Sequence, residues 1–161
     1  MPYDDLDRPP LDAGALRAAL TGPGRFWTDI VVTEQTGSTN ADVADAARSG
    51  APEGTVHATD LQVAGRGRLD RTWTSPAGSG ITVSVLLRPH EIPPARWVWL
   101  PLLVGLAVDA TVRELGVDCG LKWPNDVLVD NRKLAGILLE RVETSTSSPG
   151  GGSGAAAIIG V

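Results

Sequence analysis

The chain has 161 residues, of which 42% are hydrophobic and 20% are charged, a composition that predicts one globular domain with a substantial core. Its formal net charge of -5 argues against a protein that binds nucleic acid over a broad surface, because neutralising phosphates requires a basic surface. A single cysteine, Cys119, excludes an internal disulfide, fits a reducing compartment and is expected to be a small buried hydrophobe. The sequence contains neither a signal peptide nor about 18 uninterrupted apolar residues, so we expect a cytoplasmic protein with no membrane span.

Residues 1–28 are predicted to form an arm with one short helix. The first ten residues are acidic and proline-bearing, and Asp12 is a suitable N-cap for a helix that runs to Leu20. The sequence Gly22-Pro23-Gly24 would end that helix. This stretch is too short for the several helices of a winged-helix DNA reader, so we expect no DNA-binding domain in it.

The next predicted elements are a strand over residues 30–33 and a helix over residues 40–48. The positions of the helix that are expected to face the core are Val43, Ala44 and Ala47. Ser38 or Thr39 would cap the helix start. The same helix start would offer free N–H groups and the positive end of the helix dipole to a polar ligand.

Residues 62–73, with the sequence QVAGRGRLDRTW, form the arginine loop between predicted strands at 55–60 and 81–88. The loop holds three guanidinium groups, at Arg66, Arg68 and Arg71, and a glycine separates the first two. Glycine lets a backbone come close to a ligand, and guanidinium groups suit carboxylates and phosphates. The glycine spacing matches neither a P-loop nor a dinucleotide fingerprint. From these residues alone, both a small-anion site and a solvated basic turn remain open.

A long helix is predicted from Ala95 to Leu115, after the pair Pro93-Pro94. Its expected core stripe consists of Leu100, Leu103, Ala107, Thr111 and Leu115. Trp97 and Trp99 are interpreted as packing residues. The helix is therefore assigned a scaffold role and no chemistry.

The last part of the chain predicts strands and turns. A short strand over residues 121–123 enters Pro124-Asn125-Asp126, and residues 127–129 and 133–140 are predicted to pair across Asp130-Asn131-Arg132. Lys133 would then point towards the same face as Asp126, although these residues alone also fit a solvated lysine. Residues 144–154 predict a flexible loop, and residues 155–161 predict a buried strand.

Three motifs in this order, GRGR-x-x-R-x-W, KWPND and RKLAGILLE, resemble the catalytic domain of bacterial biotin–protein ligases. The resemblance runs from about Thr36 to Val161. It implies a catalytic domain over residues 29–161 that is incomplete at its C-terminus, since the family's chain continues beyond this strand. The expected fold is α+β, a mixed and mostly antiparallel sheet with helices on one face, as in biotin ligases and class II aminoacyl-tRNA synthetases.

The resemblance implies an ATP-dependent reaction in two steps. Biotin and ATP would give biotinyl-5'-AMP and pyrophosphate, and the biotin would then pass to a lysine of the biotin carboxyl carrier protein domain of acetyl-CoA carboxylase. The implied catalytic residues are Arg66, Lys133 and Asp126. The implied biotin-binding residues are Ser38, Thr39, Asn40, Gln62, Arg66, Gly67, Arg68 and Lys133. The implied ATP-binding and phosphate-binding residues are Arg66, Arg68, Arg71, Trp73, Asn125 and Lys133. Mg²⁺ is expected to accompany ATP, with Asp126 as a candidate ligand.

Several alternatives remain open from the sequence. A lipoate–protein ligase shares the fold and the chemistry, and a shortened chain is also compatible with a biotin or adenylate binder that does not catalyse transfer, or with a poorly folded remnant. Asp70 stands where the family usually has glycine, which puts a carboxylate beside the expected phosphate site. A homodimer is also left open.

Overall fold

The computed structural model describes residues 8–145 and 153–161. The helices are α1 (Ala13–Leu20), α2 (Thr39–Arg48) and α3 (Leu100–Glu114), and short 3₁₀ segments lie at Arg68–Asp70 and Pro94–Trp99. The strands are β1 (Asp29–Thr33), β2 (Thr55–Thr59), β3 (Gly65–Arg66), β4 (Thr72–Trp73), β5 (Thr82–Leu87), β6 (Gly120–Lys122), β7 (Asp126–Val129), β8 (Arg132–Gly136), β9 (Leu138–Ser145) and β10 (Ser153–Gly160).

The main sheet has five strands in the order β1-β2-β5-β10-β9. Only β1 and β2 run parallel, and the other three pairings are antiparallel. A second sheet has the order β6-β7-β8, and β3 pairs with β4 as a small hairpin that carries the arginine loop. The predicted α+β class and the mixed, mostly antiparallel sheet are confirmed.

The helices pack against both faces of the main sheet, which differs from the expected placement on one face. Successive residues of a strand point to opposite faces, and β10 shows the consequence at Ile158 and Ile159. Ile158 packs with Val43 and Ala47 of α2. Ile159 packs on the other side, in the cluster that contains Val127 and the inward residues of α3. The main sheet is therefore the middle layer of the molecule.

The helix α3 starts later than predicted and buries a different stripe. The side chains that pack into the core are Leu100, Val104, Val108 and Val112. Leu103 and Leu115, predicted to be buried, are 59% and 77% exposed. Gly105 determines which side of the helix is buried. A Cβ at this position would lie 3.3 Å from a methyl carbon of Leu121, so the absence of a side chain lets this side of the helix lie close to the second sheet.

The two tryptophans before α3 differ in their surroundings. Trp97 is buried, and its indole Nε1 donates to the carbonyl oxygen of Ile92 over 2.9 Å, as expected of a packing residue. Trp99 is 60% exposed, so the same interpretation is wrong for it. The stretch Pro94–Glu114 is long and apolar enough to cross a membrane, with a mean hydropathy of 1.4. Core helices of soluble proteins can have the same length and composition, so one such helix is weak evidence for a membrane span.

The strand predicted over residues 133–140 divides at Ile137 into β8 and β9, which belong to different sheets. Asn125 holds this crossing point: its carbonyl oxygen accepts from the Ile137 N–H over 2.8 Å, and its Nδ2 donates to the Ile137 carbonyl oxygen over 3.0 Å. The hairpin turn at Asp130 and Asn131 is confirmed, with φ values of 49° and 60°. The strands β9 and β10 reach further than predicted, and the centre of the predicted loop, residues 146–152, lies outside the described residues.

A polar chain ties β1 and β2 to the first turns of α2. The imidazole Nδ1 of His57 lies 3.1 Å from Asp42 Oδ2, and its Nε2 lies 2.9 Å from Thr33 Oγ1. The hydroxyl of Thr36 donates to the same Asp42 oxygen over 2.6 Å. Burial lowers the pKa of His57 below its ordinary value of 6.5, although the Asp42 charge opposes this shift.

We expect the free energy of unfolding to fall as the pH drops below about 6.5, because the unfolded chain then binds a proton that buried His57 resists. The stability that neutral His57 provides is fully present above pH 6.5, and it is lost as the pH falls from 6.5 to the lower pKa that His57 has in the folded state. Urea unfolding of the wild type and of His57→Gln between pH 5 and 8 tests this. Stability curves that run parallel over the whole range would show that His57 is not the group responsible.

Candidate active site

One cleft brings together segments that are far apart in the sequence. It lies where the start of α2, the arginine loop and the crossing from β8 to β9 meet the end of β10. All eight residues implied to bind biotin line it, together with Trp73 and Asn125. Arg66 and Lys133 therefore face a common cleft, as the sequence interpretation required.

Two expected site residues do not line the cleft itself. Arg71 lies beside an adjacent open depression that it shares with Arg66 and Arg68. The two-residue strands β3 and β4 explain this, because their hairpin closes at Gly67, whose N–H donates to the Arg71 carbonyl oxygen over 2.6 Å. Asp126 lies next to the cleft and contacts it through Lys133. The expectation about the Asp70 carboxylate falls on a side chain outside the described residues.

The start of α2 is pinned by Gln62. The Thr39 N–H donates to Gln62 Oε1 over 2.7 Å, and the Thr39 hydroxyl lies 3.1 Å from the same oxygen. The Ala41 N–H donates to the side chain of Ser38, the predicted N-cap. Because these helix N–H groups are satisfied inside the protein, a ligand meets side chains here rather than a bare helix end. Gln62 then has its Nε2 donor left towards the arginine loop.

Ser84 is a buried residue that contacts two cleft residues, Thr39 and Asn40, and the sequence analysis missed it. Its hydroxyl oxygen lies 2.7 Å from Thr39 Oγ1 and 2.6 Å from Asn40 Oδ1. An amide oxygen can only accept, so the Ser84 proton points to Asn40 and fixes the orientation of that amide. The signal available in the sequence was a serine flanked by valines in a mainly apolar strand, Thr82–Leu87.

Glu140 is the second residue that the sequence analysis missed. Its Oε2 accepts from Asn40 Nδ2 over 2.7 Å and from an Arg66 guanidinium nitrogen over 3.1 Å. Glu140 is the last residue of the RKLAGILLE motif, which was noted without assigning a role to this position. The carboxylate balances one of the cations that the arginine loop brings to the cleft.

The other two cations of the cleft also have protein partners. A guanidinium nitrogen of Arg68 donates to Asn125 Oδ1 over 3.3 Å. Lys133 Nζ lies 2.8 Å from Asp126 Oδ1 and 5.1 Å from the centre of the Trp73 ring, a distance that allows a cation–π contact. The site thus holds three cationic and two anionic side chains, a small positive excess that suits an anionic ligand.

Two glycines lie at close approaches, and only the first of them is strictly required. A Cβ at Gly65 would lie 2.5 Å from the Trp73 carbonyl oxygen, so the β3–β4 hairpin can pair there only with glycine. A Cβ at Gly136 would lie 2.6 Å from Lys133 Nζ and 2.7 Å from Lys133 Cε. The lysine side chain therefore lies across Gly136 on its way to Asp126.

We expect Gly136→Ala to leave the melting temperature almost unchanged while it impairs the adenylation that the sequence resemblance implies. The added methyl group meets only the flexible end of Lys133, which can swing aside at little cost, but the ammonium group then leaves its place beside Asp126. Thermal unfolding and pyrophosphate release, measured on the same preparations, check the two parts. A fully active variant would mean that the lysine does not need its path across Gly136.

Comparison with known proteins places this geometry in a family. Residues 32–151 match the model of the "Biotin/lipoate A/B protein ligase family". The chain is 48% identical to a biotin–[acetyl-CoA-carboxylase] ligase of Mycobacterium tuberculosis over 141 residues, which are 84% of this chain and 53% of the relative. It is 39% identical to the bifunctional ligase/repressor BirA of Bacillus subtilis over 126 residues, which are 78% of this chain and 37% of that relative.

Solved structures agree with the sequence relatives. The biotin protein ligase from Aquifex aeolicus in complex with biotin and ATP superimposes with a TM-score of 0.65 and 31% identity, over 84% of this chain and 52% of that one. The biotin protein ligase from Leishmania major in complex with biotinyl-5-AMP superimposes with a TM-score of 0.62 and 26% identity, over 82% of this chain and 56% of that one. The chain thus spans about half the length of its relatives or less. From the matched model and these relatives, we conclude that the chain belongs to the biotin/lipoate A/B protein ligase family.

Proposed function

We propose that the protein activates biotin with ATP and transfers it to a lysine of a biotin carboxyl carrier protein domain. In the first step a biotin carboxylate oxygen bonds to the α-phosphorus, and the bond from that phosphorus to pyrophosphate breaks. In the second step the neutral lysine amine attacks the acyl carbon of biotinyl-5'-AMP, AMP leaves as the amide forms, and the amine nitrogen releases one proton to solvent. The observation that carries this proposal is the convergence of Arg66, Arg68 and Lys133 on one cleft.

The cations of the cleft supply what the first step needs. Two anions, a carboxylate and a triphosphate, have to meet, and their repulsion is costly unless positive groups lie between them. Positive groups placed where charge develops usually make the largest contribution to catalysis, and one such donor is worth about 3 kcal/mol. We assign this role to Arg66, Arg68 and Lys133, and we assign Trp73 and Asn125 to the nucleotide side of the cleft.

The polar groups at the other end suit the uncharged head of biotin. Its ureido ring has both hydrogen-bond donors and an acceptor, and Ser38, Thr39, Asn40 and Gln62 provide hydroxyl and amide groups of both kinds. The orientation of the Gln62 amide supports this role, because its oxygen is used by Thr39 and its nitrogen is left as a donor. Gly67 would let the backbone approach the ligand.

Mg²⁺ fits this site only in company with the phosphates of ATP. In the described part of the chain, no group of three or more His, Cys, Asp or Glu residues is placed to hold a metal ion. Asp126 Oδ1 is buried, and apart from its charge contact with Lys133 it has no hydrogen-bond partner among the described residues. A single carboxylate of this kind matches Mg²⁺, which keeps several waters and takes phosphate oxygens as ligands. Bound there, the ion would neutralise phosphate charge, and Asp126 would hold it.

Biotin is favoured over lipoate as the substrate, although the matched family model covers both. The support is the 48% identity to a named biotin ligase over most of the chain. We further propose that residues 29–161 belong to the catalytic domain, that residues 1–28 contain no DNA-binding domain, and that the protein acts in the cytoplasm.

The test is incubation of the chain with biotin, MgATP and a carrier domain, followed by the intact mass of the carrier. A mass gain of one biotinyl group supports the proposal, and lipoate in place of biotin should give no gain. Binding of biotin without carrier labelling would indicate a binding protein that does not transfer. Absence of both binding and labelling in a chain that unfolds cooperatively would contradict the proposal.

A further inference from the structure

The polar contacts around the cleft form a chain that begins and ends on the arginine loop, so that these contacts and the loop backbone between Gln62 and Arg66 together make a ring. The members of the ring, in order of contact, are Gln62, Thr39, Ser84, Asn40, Glu140 and Arg66. Four of them come from the arginine loop and the start of α2. Ser84 and Glu140 come from β5 and β9, and they join the two segments across the sheet.

Glu140 is the residue that closes this ring. One carboxylate oxygen, Oε2, accepts both from Asn40 Nδ2 and from the Arg66 guanidinium. The Asn40 contact spans 100 positions of the sequence and the Arg66 contact spans 74. The Glu140 side chain is 29% exposed and that of Arg66 is 50% exposed, so the pair lies at the rim of the cleft rather than in the core.

Arg66 needs such a partner because little else holds it. It belongs to β3, a strand of two residues that, within the part of the chain that the structure describes, pairs with β4 alone. The next residues include Leu69, which has a left-handed φ of 57° and is 83% exposed, so the end of the loop gains little from packing. A long arginine side chain loses much rotamer freedom when it is ordered, and a fixed carboxylate lets that loss occur before the ligand arrives.

We propose that Glu140 is a positioning residue, which holds the Arg66 guanidinium at the rim of the cleft and keeps the Asn40 amide oriented into it. A charge-assisted hydrogen bond is about twice as strong as a neutral one, so the carboxylate orders Arg66 better than an amide would. The effect of Glu140 on ligand affinity rests on the proposed biotin function. The effect of Glu140 on the order of the arginine loop is independent of that function.

The first experiment measures loop order without any ligand. Trypsin cleaves after arginine, and the cleavage rate within residues 66–71 follows the population of the open loop. We expect Glu140→Ala to increase this rate about tenfold, and Glu140→Gln to increase it less, because glutamine keeps an acceptor oxygen but loses the charge. Peptide mass spectrometry identifies the cut sites, and urea unfolding separates local opening from loss of the fold.

The matched control is Glu143→Gln on the same strand. Glu143 pairs with Arg141, away from the cleft, so its substitution should not change cleavage of the arginine loop. A loop that is cleaved equally fast in wild type, Glu140→Ala and Glu143→Gln would overturn the proposal. If Glu140→Ala lowers the urea midpoint, the same comparison is made with Glu140→Gln, which keeps the side-chain volume.

The second experiment is a double-variant cycle on biotin affinity, measured by calorimetry. If Glu140 acts through Arg66, the combined Glu140→Ala and Arg66→Ala variant loses less affinity than the product of the two single losses. Losses that multiply would mean independent residues and would contradict the proposal. If the wild type binds no biotin, the proposed function fails, while the trypsin comparison still decides the role of Glu140.

Discussion

Replacing Lys133 with alanine is expected to reduce pyrophosphate release in the presence of biotin and MgATP by about a hundredfold or more. The reason is that the ammonium group would neutralise charge as the carboxylate meets the α-phosphate, and one such donor is worth about 3 kcal/mol. The fold should survive, because the side chains of Lys133 and Asp126 are 37% and 21% exposed, so water can reach the Asp126 carboxylate once the ammonium group is gone.

The control for this prediction is Arg132→Ala. Arg132 precedes Lys133 on β8, is exposed and does not line the cleft, so its loss removes a neighbouring charge without touching the site. Equal rates of pyrophosphate release in Lys133→Ala and wild type would remove the lysine from the mechanism. A rate that falls equally in both variants would indicate a general effect of hairpin charge instead.

Gly160→Ala is expected to destabilise the protein and to weaken biotin binding together. The added methyl carbon would overlap Asn40 Oδ1 and would lie 3.1 Å from Asn40 Cγ and 3.2 Å from Ser84 Oγ. Asn40 cannot move aside freely, because Ser84 and Glu140 hold its two amide atoms. Overpacking of this kind costs about 1–3 kcal/mol. A fall of roughly 2–12 °C in the melting temperature follows for a chain of this size.

The matched control is Gly120→Ala, since a Cβ at Gly120 meets nothing within 4 Å. Its melting temperature and biotin affinity should stay near those of the wild type. The combined Gly160→Ala and Asn40→Ala variant should recover part of the lost stability, because it removes the atoms that the methyl group overlaps. Without such recovery, the clash with Asn40 is not the cause of the effect.

Local features of the fold were predicted where the cause is local. Asp12 and Ser38 cap α1 and α2 as expected, because a capping side chain reaches only three residues along the chain. The turn at Asp130 and Asn131 formed where these residues tolerate positive φ. The predicted face of α2 was also confirmed, since Val43, Ala44 and Ala47 are buried.

The wrong or missing predictions concern long-range packing. The buried stripe of α3 was predicted wrongly because the helix carries apolar residues on all sides. The buried side is the one on which Gly105 lets the helix lie close to Leu121. The placement of helices on both sheet faces depends on which neighbour covers Ile158 and which covers Ile159. Ser84 was missed since its partner Asn40 is 44 positions away.

The amino-acid sequence was sufficient for the identity of the cationic and amide groups, because these reside in contiguous motifs around residues 38–40, 62–73 and 122–140. The partners of these side chains in the folded protein could not be read from the sequence. Arg66 and Lys133 are each neutralised by a carboxylate, Glu140 and Asp126, and these pairs form only when the β8 to β9 crossing brings the strands beside the arginine loop. Hydrogen bonds and ion pairs act over a few ångströms, so partners distant in sequence become partners only through the packing of the sheets.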